Sequence, residues 1–312
     1  MMNEGVSVFC LTYNHAKYIR NALDGFVIQN VDFPYEVWVH DDASNDGTAE
    51  IVKEYSEKYP DIIKAILQKE NQYSKGIEIV KEYIRPHMKY KYISICEGDD
   101  YWTDPNKIKK QYEYMQNNDD VSLCVHNTRR ESSNGDFIGN TNESLCDRSY
   151  SVEEIIAAGG GGLFHTSSYM IKKEIESGCP DELLIPKIGD YPLAIYAAIK
   201  GRVFYFKDIM SVYRVDLDNS WTKKTLNEDV LLIQYLNNMI SYFEALDKYT
   251  NSKYRRVCEK ERIKYEQELI LKENSLAQIF MDKRVRERIK RMPIFERIRT
   301  VKRIVGRDVH KV

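Results

Sequence analysis

Four short apolar segments rich in β-branched residues alternate with helically spaced segments over the first hundred residues. The apolar segments are Val6–Leu11, Tyr35–His40, Ile62–Leu67 and Tyr92–Cys96. Between them, Ala16–Val27, Ala49–Tyr59 and Ile77–Tyr83 carry apolar residues at three- and four-residue intervals. A β-α-β-α-β-α-β order predicts an α/β fold with a mostly parallel, doubly wound sheet. Sheets of that kind bind ligands outside the carboxyl ends of their strands. Two of the predicted strands run directly into acidic clusters at such ends: Asp41–Thr48 after the second, and Glu97-Gly98-Asp99-Asp100 after the fourth.

The pattern changes beyond residue 105. Lys107–Asn117 reads as a helix, Val121–His126 as a strand, and Asn127–Ser149 as a polar loop. Gly159–Gly162 reads as a turn, while Phe164–Ile171 and Val203–Phe206 read as further strands. From Leu226 onward the spacing is helical, interrupted at Pro293. The expected organisation is an α/β domain over 1–225 and a helical C-terminal region over 226–312.

Several classes are set aside. Apolar runs such as Val230–Ile233 are too short to cross a bilayer, and Met1 leads into a strand without a basic n-region. The six cysteines occur singly, which argues against a disulfide scaffold or a zinc ribbon and for the cytoplasm. Gly159–Gly162 lacks the order of a phosphate loop, the histidines lack zinc-ligand spacing, and no G-x-S-x-G elbow is present.

Three carboxylates within four residues, at Glu97, Asp99 and Asp100, repel one another unless a cation or several donors neutralise them. A hard divalent ion such as Mn²⁺ or Mg²⁺ takes carboxylate oxygens and shares its site with phosphates. Gly98 lets a ligand approach the backbone closely. A solvated acidic turn would have the same composition. The Asp41–Thr48 segment is equally consistent with a strand-to-helix connection and with a carboxylate that accepts from a ribose or base.

Taken in register, Val6–Asn14, Asp41–Thr48 and Glu97–Trp102 resemble the family 2 glycosyltransferases, which share the GT-A nucleotide-sugar fold, over roughly residues 5–215. The resemblance implies a donor site containing Thr12, Tyr13, Asn14, Asp42, Glu97, Gly98 and Asp99. Tyr13 would stack on the base of a UDP-sugar or related donor, and Asp42 would accept a hydrogen bond from it. Asp99 and Asp100 would hold the metal that bridges the diphosphate. Glu97 stands where the family usually has aspartate and would contact the ribose. Asn71 and Gly76 fall in the family's donor-lining loop.

Lys187–Tyr191 resembles the segment that carries the family's catalytic base, which implies Asp190 in that role. The spacing also suits Asp190 as the N-cap of a helix over Tyr191–Lys200. Trp102 and His165 would lie on the acceptor side, and a lone histidine is as readily a structural residue. Tyr213–Asp216 with Asn219, Ser220 and Trp221 resembles a late loop, although Asp216 stands where the family often has histidine. The Q-x-x-R-W signature of processive synthases is absent, which implies one sugar transferred per encounter.

Residues 281–312 carry twelve basic and four acidic side chains, a net +8. The remaining 280 residues carry 34 basic and 44 acidic, or −10. Val285, Ile289 and Met292, then Ile294, Ile298, Val301, Ile304, Val305 and Val309, form an apolar stripe opposite the charges. Such a tail suits an anionic membrane surface at the inner face of the cell membrane. It equally suits packing on the body or on a second copy in a homo-oligomer. No nucleic-acid motif accompanies it.

The expected function is an inverting, metal-dependent transfer of one sugar from a nucleotide-sugar to a hydroxyl of a glycan, lipid-linked or protein acceptor, in bacterial surface glycan synthesis. The alternatives are a nucleotide-sugar-binding or scaffolding protein anchored by its basic tail, and nucleotidyl transfer on the same fold.

Overall fold

The computed structural model describes residues 3–159, 162–184, 189–215, 225, 228–273, 282–293 and 300. The chain forms two compact units, one of Met1–Leu184 with Ile188–Leu217, the other of Ile185–Lys187 with Asp218–Val312.

The first unit begins with β1 (Asn3–Thr12), α1 (Ile19–Val27), β2 (Tyr35–Asp41), α2 (Thr48–Lys58), β3 (Ile63–Leu67) and β4 (Tyr90–Ile95). Val6, Val8 and Cys10 of β1 are fully buried, as are Val37 and Val39 of β2. They pack against Ile19, Leu23 and Phe26 of α1. Each such aliphatic or aromatic side chain contributes about 1.5–3 kcal/mol through burial. Two departures from the expected elements lie here. Asn14, at φ 57, turns the chain before α1, so the helix starts at Ile19 rather than Ala16. The segment expected as an ordinary helix at Ile77–Tyr83 is a π-helical turn, Val80–Ile84.

The unit continues with β5 (Tyr101–Trp102), α3 (Lys107–Gln116), β6 (Val121–Glu131), β7 (Phe137–Asn140), β8 (Arg148–Tyr150) and α4 (Val152–Ala157). It ends with β9 (Met170–Lys172), α5 (Lys173–Ser177), α6 (Asp190–Lys200) and β10 (Arg202–Arg214). The sheet order is β3-β2-β1-β4-β9-β6-β10-β5, with β7 on β6 and β8 on β10. The long ladders β1/β2, β1/β4, β2/β3 and β6/β10 are parallel. Every antiparallel pairing is two or three residues long.

The expected loop at 127–149 in fact holds the end of β6 together with β7 and β8. The expected strand Phe164–Ile171 is mostly a strap. It contains a 3₁₀ turn at Thr166–Ser168, and β9 begins only at Met170. Its apolar-looking composition reflects burial against several elements at once: Phe164, Tyr169, Met170 and Ile171 are all buried.

The second unit contains α7 (Asp229–Tyr249), α8 (Arg255–Glu273) and α9 (Lys283–Arg291). Val285 and Ile289 of α9 pack with Leu271 and Ile270 of α8. The front of the predicted apolar stripe is therefore covered within the chain. Its continuation, Ile294 to Val309, lies outside the described residues. No helix among the described residues is long and apolar enough to cross a membrane.

Candidate active site

The carboxyl ends of β1, β2 and β4 come together because their parallel register aligns Thr12 with Asp41 and Phe9 with Ile95. Backbone bonds extend that alignment into the loops: Asp42 N–H donates to Thr12 O at 3.0 Å and Gly98 N–H to Leu11 O at 2.9 Å. A Cβ on Gly98 would meet Thr12 Oγ1 at 2.7 Å and Ile19 Cδ1 at 2.9 Å. Glycine is what lets the carboxylate turn sit this close to β1.

The loop after β1 is stitched to the loop after β2. Asn14 N–H donates to Ser44 Oγ at 2.8 Å, His15 N–H to Thr48 Oγ1 at 2.9 Å, and Ala16 N–H to Asp46 at 3.0 Å. Asn14 Oδ1 in turn accepts from Asn45 N–H at 3.0 Å. This brace leaves Tyr13 exposed at 45%, with its ring available for stacking.

Asp42 is buried, and its two carboxylate oxygens accept the backbone N–H groups of Gln72 (2.7 Å) and Tyr73 (3.0 Å). Asn71 accepts from Ser74 N–H at 2.7 Å, and Gly76 closes the turn at φ 78. The expectation of Asp42 as a base contact is therefore corrected in part. Its carboxylate anchors the Asn71–Gly76 loop, and only lone pairs beyond those two bonds remain for a ligand.

Glu97 Oε2 accepts from Thr166 Oγ1 at 2.7 Å. Burial, with the charges of Asp99 and Asp190 adding, pushes Glu97 up to about 7 against that hydrogen bond. Asp100 is 3% exposed. Its Oδ1 accepts the Arg214 N–H at 2.8 Å, and its Oδ2 lies 3.5 Å from His165 Nε2. Burial, then Asp99 and Glu97, raises it well above the usual carboxylate range. Asp99 is half-buried, with its Oδ2 3.8 Å from His15 Nε2.

His165 stacks on Tyr213 with centroids 3.9 Å apart. Its Nδ1 accepts from Ser167 N–H at 3.3 Å, which assigns the proton to Nε2, facing Asp100. Burial lowers its pKa to about 3, so the ring is neutral.

Asp190 is the first helical residue of α6, and Gly189 occupies the N-cap, so the expected capping role is corrected. Burial raises Asp190, opposed by the Tyr191 N–H. Glu97 feels its charge, and both carboxylates raise Tyr169, which places the three groups in one neighbourhood.

Trp102 does not join them. It is 2% exposed, its Nε1–H donates to Ser167 O at 2.9 Å, and its ring packs edge-on against Phe26. The acceptor-side expectation for Trp102 is corrected: it is a core residue with no face toward a ligand. Asp216, Asn219, Ser220 and Trp221 lie outside the described residues.

The family model for Glycosyl transferase family 2 matches residues 7–170. The chain belongs to that family. An uncharacterised protein of Mycobacterium tuberculosis is 31% identical over 216 residues, covering 69% of this chain and 60% of the relative. The chain thus spans less than two thirds of the length of that relative. Among solved structures, S. aureus TarS in complex with UDP matches at TM-score 0.56 and 17% identity, over 93% of this chain and 76% of that one. A mannosyltransferase from Pyrobaculum calidifontis, solved with GDP-Man and Mn²⁺, matches at TM-score 0.53 and 15% identity, over 90% and 81%. These likenesses establish a GT-A fold for this member of the family.

The chemistry of the oxygen donors here would suit a hard divalent ion, were one bound. Asp99 offers an open carboxylate with the His15 imidazole beside it, and the buried Thr12 Oγ1 nearby has no protein partner. Among the described residues, no group of three His, Cys, Asp or Glu is placed to form a closed cage. Asp100, expected as a second ligand, turns its oxygens toward Arg214 and His165 instead.

Sequence reasoning gave no role of their own to three members of this region, although Arg214 and Thr166 fall in segments that resemble the family. Arg214 Nη1 donates to Asp99 O at 2.5 Å and Nη2 to Asn21 at 2.9 Å, which ties the end of β10 to the carboxylate turn. His15 and Thr166 contact Asp99 and Glu97. His15 directly follows the Tyr13-Asn14 pair of the first motif and Thr166 follows His165, so proximity to flagged residues was the available signal.

Proposed function

We propose that this chain transfers a single sugar, with inversion, from a nucleotide-sugar to an acceptor hydroxyl, and that the donor is a UDP-sugar. The observation that carries the reading is the gathering of Glu97, Asp99, Asp100 and Asp190 around the carboxyl ends of the parallel strands, beside two braced loops. Tyr13 stacks on the donor base, the loop anchored by Asp42 lines it, and Glu97 receives the ribose hydroxyls. Asp99, with His15 alongside, would hold a divalent ion, which when bound would offset charge on the departing diphosphate.

Asp190 serves as general base. Its carboxylate takes the proton of the acceptor hydroxyl as that oxygen attacks C1 from the face opposite the diphosphate. Burial raises its pKa, which makes the ionised carboxylate a stronger base. Neutral His165 and the Arg214 backbone N–H keep Asp100 oriented without adding a mobile charge. The acceptor is a hydroxyl of a glycan on a lipid or protein, in surface glycan synthesis.

The basic region extends the reading. With Val285 and Ile289 covered by α8, α9 meets an anionic membrane through its charges rather than by insertion of that face.

Calorimetric titration with UDP and GDP, with and without Mn²⁺, tests the donor site. Mn²⁺-dependent UDP binding that Asp99→Asn abolishes is the expected result. Binding of GDP alone would change the donor, and binding of neither would overturn the reading.

A further inference from the structure

Lys107, the first residue of α3, is fully buried and forms no ion pair among the described residues. Its Nζ donates to Ser94 Oγ at 2.8 Å and to Gln111 Oε1 at 2.9 Å, and lies 4.0 Å from the Trp102 ring centroid. The titratable groups facing it are neutral. Burial pushes the Cys96 and Cys124 thiols up and holds His126 well below its ordinary value. An ammonium in such surroundings is costly to bury, and burial draws its pKa down to about 7.

All three partners of Lys107 have a second bond in common. Trp102 Nε1–H donates to Ser167 O at 2.9 Å, Gln111 Nε2–H to Ser168 O at 2.8 Å, and Ser94 Oγ–H to Tyr169 O at 2.6 Å. Three consecutive carbonyls of the strap, just ahead of β9, are thus held by three side chains grouped around one ammonium. The next residues upstream are Thr166, on Glu97, and His165, facing Asp100.

We propose that Lys107 is a positioning residue: through Trp102, Gln111 and Ser94 it fixes the carbonyls of Ser167, Ser168 and Tyr169, and so places Thr166 and His165 against the donor-site carboxylates. The Lys107 amino group orients Ser94 and Gln111 by donating to them, which leaves the Ser94 hydroxyl hydrogen and one Gln111 amide hydrogen aimed at the strap, the other Gln111 hydrogen going to Cys124 O at 2.9 Å. This assignment rests on the donor-site reading for its effect on binding, though not for its effect on the strap.

The test pairs hydrogen exchange of the full chain with donor titration for Lys107→Met, which keeps the stem and removes the donors. Exchange in peptides covering 164–170 should rise about tenfold while β1 and β2 stay protected. Donor affinity should fall about tenfold in Lys107→Met and in Thr166→Val, and by about the same factor in the double variant, because the two act on one contact. Additive losses, or exchange that rises everywhere or nowhere, would overturn the proposal. Should Lys107→Met fail to fold, Ser94→Ala removes one arm of the clamp and should raise exchange at the Tyr169 end alone; no local rise would overturn it too. If the wild type binds no nucleotide, the donor-site reading fails, and exchange alone decides the role of Lys107.

Discussion

The Thr166 hydroxyl donates to Glu97 Oε2 across 2.7 Å, joining the strap ahead of β9 to the carboxylate turn after β4. The longer glutamate side chain is what reaches this hydroxyl, in a family position usually held by aspartate. Glu97→Asp should break the bond and lower donor affinity about ten- to a hundredfold, the worth of one charge-assisted hydrogen bond. Calorimetric titration with UDP reads it, and unchanged affinity would show that the extra methylene serves no purpose.

Asp42 holds the 71–76 loop through two backbone N–H groups. Asp42→Ala leaves both without an acceptor, at about 1.5–3 kcal/mol each for bonds to a charged group. Limited proteolysis should cut within 71–76 in the variant and not in the wild type, with donor affinity falling in parallel. Resistance to cleavage would refute the anchoring role.

The pH dependence of stability follows from Lys107, whose pKa drops from 10.5 to about 7 on folding. Between those values the unfolded lysine holds a proton that the folded one has released, so the unfolded state binds more protons and stability rises with pH. Below the folded value both states are protonated and the contribution is flat. Urea denaturation of wild type and Lys107→Met should therefore show the wild type gaining relative stability as pH rises from about 7 toward 10. A difference constant with pH would contradict the assignment.

Much of this arrangement was legible in the order of residues. The first, second and fourth strands are apolar and buried over most of their length, so their composition alone marks them, and parallel pairing then brings Asp41-Asp42 and Glu97–Asp100 to one edge. The strap, β7 and β8 were not legible. Their residues answer to contacts with distant elements, as when Ser167, Ser168 and Tyr169 bond to Trp102, Gln111 and Ser94. Trp102 was misread for the same reason. It follows the carboxylates directly in the chain, yet the edge strand β5 turns its ring inward onto Phe26. Lys107 carried no local signal, because a lysine opening a helix is ordinarily solvated.

Helix α9 carries Lys283, Arg284, Arg286, Arg288, Lys290 and Arg291 against Glu287. With its apolar residues covered by α8, binding to vesicles containing phosphatidylglycerol should be electrostatic, and lost on raising salt from about 0.1 M to 0.5 M as the screening length shortens. Vesicles of phosphatidylcholine alone should not bind. Co-sedimentation of the full chain checks both, and salt-resistant binding would point to insertion of apolar residues instead.

Asp190, at the start of α6 and within the electrostatic reach of Glu97, separates a transferase from a protein that only binds its donor. The most direct test is to measure release of nucleoside diphosphate from a bound nucleotide-sugar, and the affinity for that donor, in wild type and Asp190→Asn. Release should fall by about 10²–10⁴-fold, the contribution of a general base, with donor affinity unchanged within a few-fold. Equal release from both proteins would contradict the account, because the proton of the acceptor would then be taken by some other group.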